Sequence, residues 1–85
     1  MNADRRLILI EISGLYRGNA RIGDLDEYIN RALFLAGQGN DVVLTGQGPI
    51  WLYLKMAHAL HGVARRLIYR SPVAGDLVVF DHSPE

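Results

Sequence analysis

A small α/β domain with a mixed, largely parallel sheet is predicted by three features of this 85-residue sequence. A run of almost unbroken Ile and Leu near its start marks a strand. Further along, two segments look helical, one by the spacing of its apolar residues and one by its proline-led start. A glycine turn joins a β-branched run directly to the second of these. Strands and helices that alternate along a chain build βαβ units, whose crossover helices make neighbouring strands run parallel.

Arg6 to Ser13, RLILIEIS, ends at Gly14 and is too apolar to alternate, which predicts a strand covered on both faces. From Asp24 the pattern changes, and Leu25, Tyr28, Ile29, Ala32, Leu33 and Ala36 recur at helical spacing. Asp24 is placed as N-cap with Glu27 as its third-residue partner, and Gly37 as the stop. Asp41 to Thr45, DVVLT, reads as a short strand that meets Gly46-Gln47-Gly48-Pro49, with the proline at a first helical position. The second helix, Pro49 to about His61, is nearly all apolar, with Lys55, His58 and His61 as its strongly polar side chains. Ile50, Leu52, Leu54, Met56 and Leu60 cannot all face one small sheet, so a homodimer or higher homo-oligomer is expected. Arg66–Ser71 and Asp76–Asp81 then form a hairpin across Pro72-Val73-Ala74-Gly75. The order is βαβαββ, a Rossmann-like arrangement of helices on a sheet, in a single domain over residues 1–85.

Composition narrows the function. Hydrophobic residues make up 49% and charged residues 21%, values at which a chain folds. The absence of cysteine excludes a disulfide scaffold and a thiolate zinc site, and places the protein in a reducing cytoplasm. An apolar run such as Ile50–Leu54 is far shorter than the roughly 20 residues of a membrane span, and no signal-peptide pattern follows Met1. Nine basic residues balance nine acidic ones, which argues against a duplex-DNA coat. The charges are unevenly spread, however. Between Asp41 and Asp76 there is no acidic residue, while Lys55, His58, His61, Arg65, Arg66 and Arg70 fall in that stretch. Arginine's planar fork suits phosphate or carboxylate.

Thr45-Gly46-Gln47-Gly48-Pro49 lies where α/β sheets bind ligands, beyond the carboxyl end of a strand and at a helix N-terminus that favours anions. It lacks the lysine and serine of a nucleoside-triphosphate loop, and two glycines also serve simply to turn the chain. His58 and His61, at i and i+3, share a helical face with Lys55. As metal ligands they have no third partner nearby in sequence, although Asp81 and His82 can approach in space. As an acid or base, a histidine titrating near neutrality suits proton transfer in phosphodiester cleavage. Trp51 and Tyr53 offer flat rings to bases, but packing in a core or interface accounts for them better. Asp81-His82-Ser83 has only the composition of a hydrolase trio, because consecutive strand residues point to alternate faces.

The run Thr45-Gly46-Gln47-Gly48-Pro49-Ile50-Trp51-Leu52-Tyr53, continued by Ala57-His58-Ala59-Leu60-His61 and Leu67-Ile68-Tyr69, resembles the Csx-three family, small ring nucleases that accompany type III CRISPR systems. The tail Gly75-Asp76-Leu77-Val78-Val79-Phe80-Asp81-His82-Ser83-Pro84 is similar to that family too. The resemblance implies a domain that binds cyclic tetra-adenylate, the second messenger of type III defence, between subunits and cleaves it with manganese, switching off signalling. It maps the family's functional histidine onto His61 and its loop onto Thr45–Pro49. Where the family has Tyr-Asp-Pro-Arg, this chain has Tyr69-Arg70-Ser71-Pro72, so a cation stands at the acidic position and the family's arginine is replaced by Pro72. A lost carboxylate speaks against manganese.

Three readings follow. In the first, His61 and Arg70 are catalytic, His61 moving the proton while Arg70 stabilises phosphate charge; Thr45, Gly46, Gln47, Gly48, Pro49, His58 and Arg70 hold the ligand. The second is a non-catalytic sponge or sensor for the same ring, and the third a structural oligomerisation domain.

Overall fold

The computed structural model describes residues 5–83; Met1 and Pro84, both used in the sequence reading, lie outside them. Strands β1 (Leu7–Glu11), β2 (Asp41–Thr45), β3 (Arg66–Ser71) and β4 (Gly75–Asp81) form one sheet in that order, with helices α1 (Leu25–Ala36) and α2 (Ile50–Leu60) between the first three. β1 pairs parallel with β2 and β2 with β3, while β4 returns antiparallel to β3. The predicted element order and mixed, mostly parallel sheet are therefore present. Among the described residues, no helix is long and apolar enough to cross a membrane.

Because strand order follows chain order, both crossovers step across the sheet in the same direction. Crossovers of one hand then set both helices on one face. On that face Ile10, Val42, Leu44 and Leu67 meet Tyr28, Ala32 and Ala36 of α1 and Leu52, Met56 and Leu60 of α2 in a common core. The buried residues of α2 recur every four positions, the stripe a helix presents to a sheet. Burying each such side chain contributes about 1.5–3 kcal/mol.

The expectation that the first strand is covered on both faces is overturned. Leu7 and Leu9 are 67% and 58% exposed, because both helices occupy the other face. The open face carries an apolar row, Leu9, Val43, Ile68 and Val78, across all four strands. β1 also stops earlier than expected. At Ile12 the chain enters a 3-10 turn, Ile12–Leu15, which buries Ile12 and Leu15 beneath the helices.

Two helix ends differ from the sequence reading. Asp24 occupies the N-cap of α1 but its side chain makes no capping bond. A preceding 3-10 turn, Ile22–Asp24, does the work instead, with the Asp24 amide donating to the Arg21 carbonyl at 3.0 Å and the Leu25 amide to Ile22. Pro49 sits at the N-cap of α2, one position before the first helical residue. Gly37 does end α1: at φ 66° its amide donates to the Leu33 carbonyl at 3.1 Å.

α2 is greasier than its sheet requires. Ile50 and Leu54 are 77% and 67% exposed. They border an apolar groove of about 340 Å³ completed by Leu77 and Val79 of β4. A bulge in the β3–β4 pairing, where Ile68 faces Val78 but Leu67 faces Phe80, leaves Val79 as the extra residue.

Candidate functional site

The loop after β2 is shaped by close packing. Gly46 has φ 101°, and a Cβ there would lie 2.8 Å from Cγ of Glu11. A Cβ on Gly48 would lie 2.2 Å from Cγ2 of the fully buried Ile12. Both glycines thus let the loop rest on the end of β1. Two phenol hydroxyls fix its carbonyls: Tyr53 donates to Gly46, and Tyr16 donates to Gln47 at 3.0 Å. The Thr45 hydroxyl donates to the Arg70 carbonyl at 2.9 Å, tying β2 to β3 at the same end of the sheet. Burial, with Tyr69, Tyr16 and Glu11 nearby, holds the Tyr53 hydroxyl protonated to higher pH than an ordinary tyrosine.

Beyond the carboxyl ends of β2 and β3 lies an open cleft of about 920 Å³, lined by Thr45, Gly46, Gln47 and Gly48 on one side and Tyr69, Arg70, Ser71 and Pro72 on the other. Two segments 25 residues apart in sequence, anchored by the Thr45–Arg70 bond, make one site. Helical bonding begins with the amides of Leu52 and Tyr53, which donate to the Pro49 carbonyl at 3.1 and 3.3 Å. The amides of Ile50 and Trp51 precede it, the usual position for anion-facing donors.

The arginines of the acid-free stretch are largely matched by acids from outside it. Arg65 grips Asp41 through Nε and Nη2 at 2.9 and 2.8 Å, and Arg66 Nε lies 3.7 Å from the same carboxylate. Arg70 pairs with Asp76 through Nε at 2.9 Å and Nη2 at 3.2 Å. Hydrogen bonding from Arg70 holds the Asp76 carboxyl below the usual range, and the same bond raises the Arg70 guanidinium further. A guanidinium has five N–H donors, so the two bonds to Asp76 leave three for another acceptor.

The histidines lie elsewhere. His61 ends α2 with its ring centroid 5.0 Å from Phe80 and 4.5 Å from His82, and Phe80 stacks on His82 at 4.7 Å. His82 sits where β4 ends, its amide bonded to the Arg65 carbonyl at 2.7 Å. This is the opposite end of the sheet from Arg70. Asp81 stands opposite Arg66 and Asp76 opposite Arg70, so four strand residues, about 13 Å, separate the two ends. Along α2, eleven residues from Ile50 to His61 span roughly 16 Å. One chain therefore holds His61 and Arg70 at opposite ends of the sheet: the helix that carries His61 runs back along it, away from the β3–β4 turn. His58, on the same stripe, is exposed and far from the loop as well.

Asp81 does approach the histidines in sequence but accepts hydrogen bonds from the Ser83 amide and hydroxyl, which keep its carboxyl below the usual range. The trio Asp81-His82-Ser83 thus bonds serine to aspartate and bypasses the histidine. A divalent cation asks for several oxygen or nitrogen donors. Among the described residues, no three His, Asp or Glu side chains gather to supply them.

Sequence reasoning placed the loop and Arg70 but missed Asp76 as the partner of Arg70 and Tyr16 as the latch of Gln47. Tyr16 carries no motif; only its place in a short turn-rich segment marks it. A family model described as CRISPR-associated protein (Cas_csx3) matches residues 32–85. No curated protein and no solved structure matches the chain.

Proposed function

Since the chain belongs to the Cas_csx3 family of CRISPR-associated proteins, we propose that it binds the cyclic tetra-adenylate second messenger in the cleft beyond β2 and β3 and acts on it as a ring nuclease. The observation that carries this reading is the meeting of Thr45–Gly48, the start of α2 and Arg70 around one cleft. Backbone amides and a guanidinium there complement phosphate and its charge. Pro49 presets the helix start, and the glycines leave the loop free of side chains that would block a backbone-level approach. His58 and Lys55, on the outer face of α2, belong to the rim of a larger assembly in this reading.

Cleavage asks more of the protein. The ribose 2′-oxygen forms a bond to the adjacent phosphorus as the bond to the 5′-oxygen breaks, giving a 2′,3′-cyclic phosphate and a 5′-hydroxyl that takes its proton from water. His61 takes the 2′-hydroxyl proton, and its ring is held against Phe80 and His82. Because His61 and Arg70 stand at opposite ends of one chain, they act on one ring only when different copies contribute them. Oligomerisation through the exposed Ile50 and Leu54 of α2 then belongs to the function. A cyclic ligand of repeated units fits a symmetric assembly of repeated subunits.

The same separation favours a second reading, a binder that retains the ring without cutting it. Incubating the purified protein with cyclic tetra-adenylate, with and without manganese, distinguishes the two. Linear or cyclic-phosphate products support the nuclease, retention without products supports the binder, and no retention removes both.

A further inference from the structure

On the far side of the glycine loop lies a second hollow of about 440 Å³, lined by Tyr16, Asn19, Gln47, Gly48, Pro49 and Trp51. Gln47 and Gly48 border both this hollow and the Arg70 cleft, so the loop is a saddle with a cavity on each flank. The outer wall comes from the turn after β1, a segment that precedes the family match at residue 32. That wall is fixed in place. Tyr16 bonds the Gln47 carbonyl at 3.0 Å, its ring lies 5.9 Å from that of Tyr28, and the Arg21 amide donates to the Tyr28 hydroxyl at 3.1 Å.

Resting on the proposed function, we infer that this hollow seats an adenine base of the ring while its phosphate lies over the saddle. The chemistry of the lining is that of a nucleobase site. Trp51 and Pro49 present apolar surface suited to a flat heterocycle, and the carboxamides of Asn19 and Gln47 each offer a donor and an acceptor. Asparagine and glutamine match the paired donor and acceptor along an adenine edge. Beside the hollow, Arg17 and Arg21 line a contiguous depression that shares Tyr16 and Asn19 with it, and neither forms an ion pair among the described residues. Arg31, Asp24 and Glu27 line the same depression, so its charges are mixed. Adenine specificity would then come from the chain's own first turn, and phosphate affinity from the matched region.

Trp51 is the single tryptophan, so the chain's indole emission comes from the wall of this hollow. The full chain is titrated with cyclic tetra-adenylate, following binding by calorimetry and emission in parallel, with inorganic phosphate as a base-free probe. The expected result is saturable quenching that tracks the calorimetric isotherm, none with phosphate, and about a tenfold loss of affinity in Asn19→Ala. Tyr16→Phe, which removes only the latch, should weaken binding less while leaving the melting curve near wild type. Calorimetric binding with unchanged emission and an unaffected Asn19→Ala would overturn the base site and leave the proposed function standing. Silence in calorimetry itself would overturn both.

Discussion

Arg70 and Asp76 face each other across the β3–β4 hairpin as a bidentate pair, Nε to Oδ1 at 2.9 Å and Nη2 to Oδ2 at 3.2 Å, at the rim of the cleft. The pair does two opposing things to a bound phosphate. It aims the guanidinium, and it cancels part of its charge. Removing the carboxylate's charge while keeping its shape should therefore strengthen anion binding: Asp76→Asn is expected to raise affinity for cyclic tetra-adenylate by about 2–5-fold at low salt. Arg70→Ala should lower it by ~1–3 kcal/mol. Both are read by calorimetry; a rise in affinity in Arg70→Ala would move the phosphate away from this cleft.

The pair also sets a pH signature. Asp76 is held below the usual carboxylate range in the fold, so its contribution is complete above the unfolded value near 3.9 and is lost as pH falls through the lower folded one. Arg70 is raised, so it remains charged throughout that range. Carbon-detected titration of the Asp76 carboxyl should show a midpoint below that of a free aspartate, returning to about 3.9 in Arg70→Ala. Neutral-pH stability should not depend on the pair's titration.

If cleavage draws His61 from one copy and Arg70 from another, His61→Ala should slow single-turnover cleavage by about 10²–10⁴-fold with little effect on binding, and His58→Ala should do less. Mixing inactive His61→Ala with inactive Arg70→Ala should restore cleavage, because some sites then receive both native groups. A mixture as inactive as its parts would refute sharing between copies.

Assembly should depend on the exposed stripe of α2. Leu54→Lys, which leaves the buried Leu52 and Met56 untouched, is expected to shift an oligomer to monomer at micromolar concentration by light scattering. A wild-type monomer across that range would remove the interface.

The loop's glycines make a stability prediction of their own. Gly48→Ala drives a methyl into the fully buried Ile12 and should cost about 1–3 kcal/mol, or roughly 4–24 °C in Tm for a domain of this size. An unchanged Tm would show that the loop can lift from β1.

Most of the architecture was legible because local signals agreed with the fold. The DVVLT strand, the Gly37 stop and Arg66–Ser71 fall at their expected positions. What could not be read was on which side of the sheet each helix lies. An apolar β1 suggests two covered faces, yet Leu7 and Leu9 are exposed because strand order, a long-range property, puts both helices together. The same blindness affected the site. The loop and Arg70 meet because parallel β2 and β3 end side by side. His61 lies at the other end, since adjacency to the start of β3 is distance from its end.

The sheet's sequential order also bears on how the molecule is made. Every strand pairs with its neighbour in sequence, although the two parallel pairings join residues far apart in the chain, Leu7 with Asp41 and Asp41 with Arg66, so each must close a loop before it is made. Chains emerge from synthesis N-terminus first. β1, α1 and β2 can therefore dock before the glycine loop appears, and each later element finds its template already in place. The last strand to arrive, β4, brings Asp76, so the guanidinium it restrains is unclaimed until assembly is complete.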